Sequence, residues 1–487
     1  MWPEPPASLP LRTLVDSVIF ASPLFLFVFL PAVLLAYAVT PAGLSSWVVL
    51  AASILFYAWG APTFVVVVLA SALLDLAVVR LMASARAPAV RRALATLGVA
   101  ANLSVLGYFK YANFTAETAR HVGEAWLSLH VPKLAPVALP IGVSFITFEK
   151  ITYVVDVYRG VGKPARRVRD YLLYVFLFPK LLAGPIVKYH DIEQQLGARP
   201  KSRDDLTAGL VRFALGLAKK VFLADPMGEL SDAIFAPGLP VGFRLAWLGA
   251  IAFSLQIFFD FSGYSDMAIG LAKMLGFRLL ENFDRPYLAV GFGDFWRRWH
   301  ISLSTWIRDY LYIPLGGDRV PPARVYANLW ICFLASGLWH GAAWTFVVWG
   351  AYHGLFLTLD RLFLKRWLSR VPRALGVAWT FLAVTVGWVL FRSPTIASAL
   401  DYLATLASPG RGSSRLVLVT ADLRATLVLG LVVCFWPLLG RSSEAGTKPP
   451  LDRRFSTASL AAATGLFVLA VARTTAASFH PFLYFRF

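Results

Sequence analysis

GFGDFWRRWHISLSTWIRDYLYIPLGG (Gly291–Gly317) and NLWICFLASGLWHGAAWTFVVWGAYHGLFLTL (Asn328–Leu359) decide how this chain is read. The second stretch is uncharged, yet it carries His340 and His353. With its flank from Tyr326 it is longer than the roughly 20 residues one helix needs to cross hydrocarbon. Gly337 and Gly341 bracket His340, so a break or a close helix approach is expected there. An ionisable side chain in such a run is costly unless it faces a cavity or a partner, which makes a functional site the default reading. A neutral imidazole there can take a proton from a hydroxyl nucleophile without help from a metal. His353 would face well away from His340 on one continuous helix, and it reads as structural.

In the first stretch the aromatics Phe292, Phe295, Trp296, Trp299, Trp306 and Tyr310, with Leu303 between, keep three- and four-residue spacing. Asp294, Arg297, Arg298, Arg308 and Asp309 take the other positions. One amphipathic, Trp-rich helix lying at the membrane interface or dipping in from it is expected. His300 adjoins the Trp299 position. Two readings stand for it: an interfacial histidine bonded to a neighbouring carbonyl, or a functional group beside His340.

Working outward, the chain has 487 residues, 58% hydrophobic and 15% charged. A soluble domain carries about a quarter charged residues, so the class is a polytopic membrane protein. The net charge of +19 does not point to nucleic acid. The basic residues lie mainly in short loops, where they act as topology signals, and a basic cytosolic mouth suits a phosphate-bearing donor. Cys332 and Cys434 both lie in apolar runs and read as packing residues rather than a disulfide or metal pair. No HExxH, CxxC, Walker-type or GxGxxG pattern is found, and no metal is expected. GVSFI (Gly142–Ile146) lacks the second glycine of a nucleophile elbow. The first apolar run, Leu24–Val39, has an uncharged approach and no cleavage site, so no signal peptide is read. Residues 1–17, rich in proline, stand apart as an extramembrane tail or a start-site artefact.

Apolar windows fall near 23–40, 45–60, 63–83, 92–109, 137–156, 169–186, 207–224, 243–259, 327–341, 343–364, 374–392, 423–440 and 457–475. The expectation is an all-α membrane protein of about eleven transmembrane helices with re-entrant or interfacial pieces, forming a single domain over 18–487. Arg80, Arg86, Arg91 and Arg92 form one basic loop; Arg159, Lys163, Arg166, Arg167 and Arg169 form another. Both are expected in the cytoplasm, with the loop Lys110–Lys133 and the N-terminus outside. Adjacent Glu149 and Lys150 must point to different faces of a helix and line either an interface or a polar cavity. Pro179, Gly184 and Pro185 break the following run. FFDFSGYSDMAIG (Phe258–Gly270) reads as an interhelical connection, with a polar pocket as the alternative.

These residues resemble the membrane-bound O-acyltransferase superfamily, and more closely its bacterial alginate O-acetyltransferase branch, related to teichoic-acid D-alanyl transferases. The matching pieces are FLFVFLPAVLLAY, ILFYAWG, LPIGVSFITFEKITYVVDVYRG, FPKLLAGPIVKY, FFDFSGYSDMAIGLAKMLGF, NFDRPYLAVGFGDFWRRWHISLSTWIRDYLYIPLGG, SGLWHGAAWTFVVWGAYHG and the closing FLYFRF. The resemblance runs from about Val18 to Phe487. It implies a catalytic stretch over 291–359, with His340 as the family's catalytic histidine and His300 as its second histidine. The C-terminal motif 482–487 would carry the acyl group on Tyr484, a residue that pattern alone reads only as an aromatic near a C-terminus. The implied activity is O-acetyl transfer, in the bacterial cytoplasmic membrane, from cytosolic acetyl-CoA to an exported polysaccharide. An outer acetyltransferase partner would act on the polymer. The alternatives are D-alanyl or other acyl transfer to teichoic acid, cellulose or peptidoglycan by the same fold. From another class, a polymer or solute transporter would use the histidines as a proton relay, and the inverted repeats it predicts are not found.

Overall fold

A computed structural model describes residues 20–126, 128, 132, 135–238, 240–413, 415–438, 456–476, 482 and 483. The tail reading for residues 1–17 lies outside them, as do residues 484–487 of the C-terminal motif. Every regular element among the described residues is helical, and the protein is an all-α polytopic membrane protein. Among the described residues five helices are long and apolar enough to cross a bilayer: Phe64–Ser84, Pro88–Ala125, Phe243–Met274, Arg373–Arg392 and Thr457–Ala476. Phe25–Val39, Ser45–Gly60 and Ile396–Leu406 are shorter apolar helices. Helix length does not return the expected number of eleven, because several of the other apolar windows form short or interrupted helices.

Two stretches differ from expectation. The segment after Lys110 is not a loop: a π-turn at Gly107–Tyr111 passes the helix on into Ala112–Trp126. Arg120 braces that extension by pairing with Glu117 and Glu124, three and four residues away. FFDFSGYSDMAIG is not a connection either, since it lies inside the 32-residue helix Phe243–Met274. Its glycine serves packing rather than a turn. A Cβ on Gly263 would come within 2.8 Å of the Gly216 carbonyl oxygen, so the backbones meet there.

The chain divides into two compact units. The first holds residues up to Phe213 together with Met267–Leu280 and Thr474–Pro481. Its centre is the helix Val143–Arg159, whose adjacent Glu149 and Lys150 are both buried. Successive residues on a helix project about 100° apart, so each needs a different counter-charge. Lys150 Nζ lies 3.2 Å from Asp75 on Phe64–Ser84. Asp75 also accepts from Asn102 at 2.6 Å and from the Tyr171 hydroxyl at 2.9 Å. Glu149 pairs with Lys180 and accepts the Val187 amide at 3.2 Å. Both charges thus lie between packed helices, and Lys150 also lines a cavity with Phe64, Val143 and Thr147.

The second pair holds the break that Pro179, Gly184 and Pro185 introduce. Helix Val168–Phe176 stops, a short turn Phe178–Leu181 follows, and extended backbone leads to Tyr189. Non-helical backbone survives at membrane depth only where protein satisfies it. Ser53 Oγ accepts the Phe178 amide at 3.1 Å, and the Tyr174 hydroxyl donates to the Val187 carbonyl at 2.8 Å.

Removing one partner of a buried ion pair costs about 3–5 kcal/mol, whereas replacing both by apolar groups is often neutral. Asp75→Leu should therefore lower the Tm of the detergent-solubilised protein sharply, and Asp75→Leu with Lys150→Met should recover most of the loss. A double variant as unstable as the single one would show that the charge pair is not what fastens these helices.

Candidate active site

The second unit comprises Ala214–Asp266, Glu281–Arg473 and Phe482–Phe487, and it contains both histidines singled out in the sequence. The stretch GFGDFWRRWH begins at Gly291, whose φ of +88° a residue with a side chain adopts at a cost. The amide groups at this helix start have partners: Gly291 N–H donates to Thr380 Oγ1 at 2.9 Å and Gly293 N–H to Asp360 Oδ2 at 2.8 Å. Helix Phe292–Arg298 then ends. Trp299 is extended, His300 is left-handed with φ +42°, and a new helix runs over Ile301–Ile307. The single interfacial helix expected here is thus two short ones hinged at His300. Phe292, Phe295, Trp296 and Trp299 are buried in the protein. Their spacing reflects packing onto His353, 5.1 Å from Trp296, and Trp388, 4.9 Å from Trp299 between ring centres.

A left-handed turn at a residue other than glycine is strained, and Asn282 supplies what holds it. The Ile301 amide donates to the Asn282 carbonyl at 2.9 Å, and the Asp284 amide returns a bond of the same length to the Arg298 carbonyl. Asn282 Oδ1 lies 3.2 Å from His300 Nδ1 and accepts from the Ser302 amide at 3.1 Å and hydroxyl at 2.8 Å.

His340 is the last residue of Pro322–His340, and Gly341 leaves in extended conformation. The chain resumes as Trp344–Leu359, which makes the expected break real. The two helices pack as a hairpin with almost no gap. A Cβ on Gly337 would fall 2.2 Å from the Phe346 carbonyl oxygen, and one on Gly350 would fall 2.3 Å from that of Phe333. Trp339 and Trp349 lie 5.0 Å from the His340 ring and Phe391 lies 5.3 Å away. The rings of His300 and His340 are 6.4 Å apart, both buried. His353 takes a bond from Trp296 Nε1 to its Nδ1 at 3.2 Å, in keeping with a structural part.

The C-terminal motif reaches the same unit. The Leu483 amide donates to Asp260 Oδ2 at 2.7 Å. Lys220 balances Asp260 at 2.9 Å and Asp225 at 2.5 Å. The Phe482 ring lies tilted 4.7 Å from Tyr264 and 5.9 Å from Phe261, and Phe261 stands edge-on to His300 at 4.6 Å. Tyr484, the next residue but one, lies outside the described residues. Among those described, no three His, Cys, Asp or Glu side chains group as metal ligands.

Comparison with known proteins now decides the family. The MBOAT model, membrane-bound O-acyltransferase family, matches residues 167–398. The chain is 39% identical to a probable alginate O-acetylase AlgI of Azotobacter vinelandii, over 96% of this chain and all of that one. The chain belongs to the membrane-bound O-acyltransferase family. A Pseudomonas aeruginosa protein, also named probable alginate O-acetylase AlgI, is 43% identical over 78% of this chain and 73% of its own. A peptidoglycan O-acetyltransferase of Helicobacter pylori is 36% identical over 79% of each.

This membrane-bound O-acyltransferase is an enzyme, and the matched region contains Asn282, His300 and His340. Sequence reading missed Asn282, Thr380 and Asp360 as supports. A lone asparagine beside a proline-containing turn has no periodicity to mark it, and the caps of Phe292–Arg298 come from helices far along the chain. Asp260 falls within FFDFSGYSDMAIG, which by sequence reads as a connection. Its true place on a continuous helix, opposite Lys220 and Leu483, is a matter of tertiary packing.

Asp260→Leu removes the acceptor of the Leu483 amide. Leaving a buried donor unmet costs enough to lower a dependent rate about tenfold or more. Acyl transfer should fall by that much in Asp260→Leu and less in Asp260→Asn, which keeps a carbonyl acceptor. Wild-type transfer by Asp260→Leu would show that anchoring the C-terminal segment is immaterial to the enzyme.

Proposed function

We propose that this enzyme takes acetyl from cytosolic acetyl-CoA and passes it across the membrane for O-acetylation of an exported polysaccharide of the alginate type. An outer acetyltransferase partner would complete delivery to the polymer. The observation that carries the reading is the geometry of the histidines: two buried rings 6.4 Å apart, one of them against Phe261, whose ring lies 5.9 Å from that of Phe482. The relatives named as alginate O-acetylases supply the acyl group and the acceptor class.

In the proposed chemistry His340 acts as general base. It takes the proton of a hydroxyl, that of Tyr484, as the oxygen attacks the thioester carbonyl. The coenzyme A thiolate leaves and takes the proton back from the imidazolium, and the acetyl group remains as an ester on the tyrosine. His300 positions or polarises the reacting group. A second attack by an acceptor hydroxyl from the other side releases the acetyl group and restores the tyrosine. Two-sided access suits a donor and an acceptor that occupy different compartments. The surrounding tryptophans keep water from the ester, which would otherwise hydrolyse.

Purified protein in detergent, given acetyl-CoA radiolabelled in the acetyl group, should acquire covalent label. The label should be absent from His340→Ala and from Tyr484→Phe, with both variants folded as judged by Tm. Label lost only in His340→Ala would keep the enzyme and remove Tyr484 from the route. Undiminished labelling of His340→Ala would end the general-base assignment. The Helicobacter pylori relative makes peptidoglycan the second acceptor to offer beside alginate once label is loaded.

A further inference from the structure

The polar atoms against His300 Nδ1, Asn282 Oδ1 at 3.2 Å and Ser302 Oγ at 3.5 Å, bear on which ring nitrogen carries the proton. Asn282 is completely buried, and its Oδ1 receives the Ser302 amide at 3.1 Å. A backbone N–H only donates, so the amide atom it faces is the oxygen and not the NH2 group. The Ser302 hydroxyl donates to the same oxygen at 2.8 Å. His300 Nδ1 lies 3.2 Å from it. A carbonyl oxygen has no proton to give, so this contact is attractive only if Nδ1 carries one. In a neutral imidazole the other nitrogen, Nε2, is then an acceptor.

The backbone leaves the ring little choice of place. His300 is held at φ +42° with the Ile301 amide on the Asn282 carbonyl, and its own carbonyl accepts the Ser304 amide at 3.0 Å. Phe261 closes one side edge-on at 4.6 Å, Trp339 stands at 5.8 Å and His340 at 6.4 Å. A 180° ring flip would exchange Nδ1 with Cδ2, put a C–H against the Asn282 oxygen and forfeit the bond.

We propose that Asn282 is a positioning residue that locks neutral His300 with its proton on Nδ1. His300 then serves acyl transfer by accepting a hydrogen bond at Nε2, and not by donating one. The inference rests on the reading of His300 and His340 as the reacting pair, and it divides their work. A group that polarises a thioester carbonyl must donate to its oxygen, which this tautomer does not do. A group that orients a nucleophilic hydroxyl must accept from it, which this tautomer does. His340 takes the one proton of the attacking hydroxyl in the first transfer, so His300 is matched to the acceptor hydroxyl of the second, and stabilisation of the developing oxyanion falls to other donors.

The test uses the full-length protein in bilayers, with 15N at the histidine ring nitrogens. Solid-state NMR distinguishes protonated from bare nitrogens, and the His300 signals are those lost in His300→Gln. The expected pattern is a protonated Nδ1 and a bare Nε2. In Asn282→Ala the pattern should shift toward Nε2–H, and turnover of labelled acetyl-CoA should fall roughly ten- to hundredfold with KM for the donor within about twofold. Asn282→Asp keeps an acceptor, so it should hold Nδ1–H and recover part of the turnover. A wild-type His300 protonated at Nε2 would overturn the proposal, as would unchanged turnover in Asn282→Ala. If the Nδ1–H pattern is found but His300→Gln transfers acetyl at the wild-type rate, the reacting-pair reading fails, and the role given to Nε2 fails with it.

Discussion

Two backbone hydrogen bonds, from Ile301 to Asn282 and from Asp284 to Arg298, let a buried chain stop being a helix. Hydrocarbon offers no water to an exposed amide, so a break in a helix persists only where protein meets its polar groups. Here a short extended segment does so, and the Asn282 side chain adds a third acceptor for the Ser302 amide. The turn that results brings His300 out of helical register. Without it, the residues of FWRRWHISLS would continue round one helix, and the ring would have no fixed relation to Phe261 or His340.

The same constraint is met by different means elsewhere in the molecule. In the first unit the interruption after Phe176 is held by an ion pair, Glu149 with Lys180, and by a tyrosine hydroxyl. In the second unit His340 sits where its helix ends and Gly341 turns the chain away. Breaks thus fall at prolines and glycines or beside a buried polar partner, and the two histidines occupy two of them. A helix terminus or hinge releases a side chain from the regular i to i+4 array and allows it to face a neighbour that no helical face would reach.

Much of this was legible from residue order. The all-helical membrane class followed from composition, and apolar windows placed Phe64–Ser84, Arg373–Arg392 and Thr457–Ala476 within a residue or two. The break beside His340 followed from its flanking glycines. What escaped was of one kind. The spacing of Phe292 to Tyr310 counts residues, and a one-residue left-handed hinge leaves that count almost intact, so the kink at His300 was silent. Gly263 has the composition of a turn but the job of a close helix approach, and only the partner backbone at Gly216 reveals it. Asn282, Thr380 and Asp360 act across long separations in the chain, where no periodicity reports on them.

The hairpin that carries His340 has a consequence for how this enzyme tolerates change. Gly337, Gly341 and Gly350 each stand where even a methyl group would meet a neighbour at under 2.5 Å, and for Gly337 and Gly350 that neighbour is backbone. A rotating side chain can make room, but a helix backbone moves only as a whole. Neutral drift is therefore closed at positions that contribute no functional group, while exposed leucines and valines along the lipid-facing surface stay interchangeable. Variation in such a protein is limited first by the shape of its main chain and only second by its chemistry.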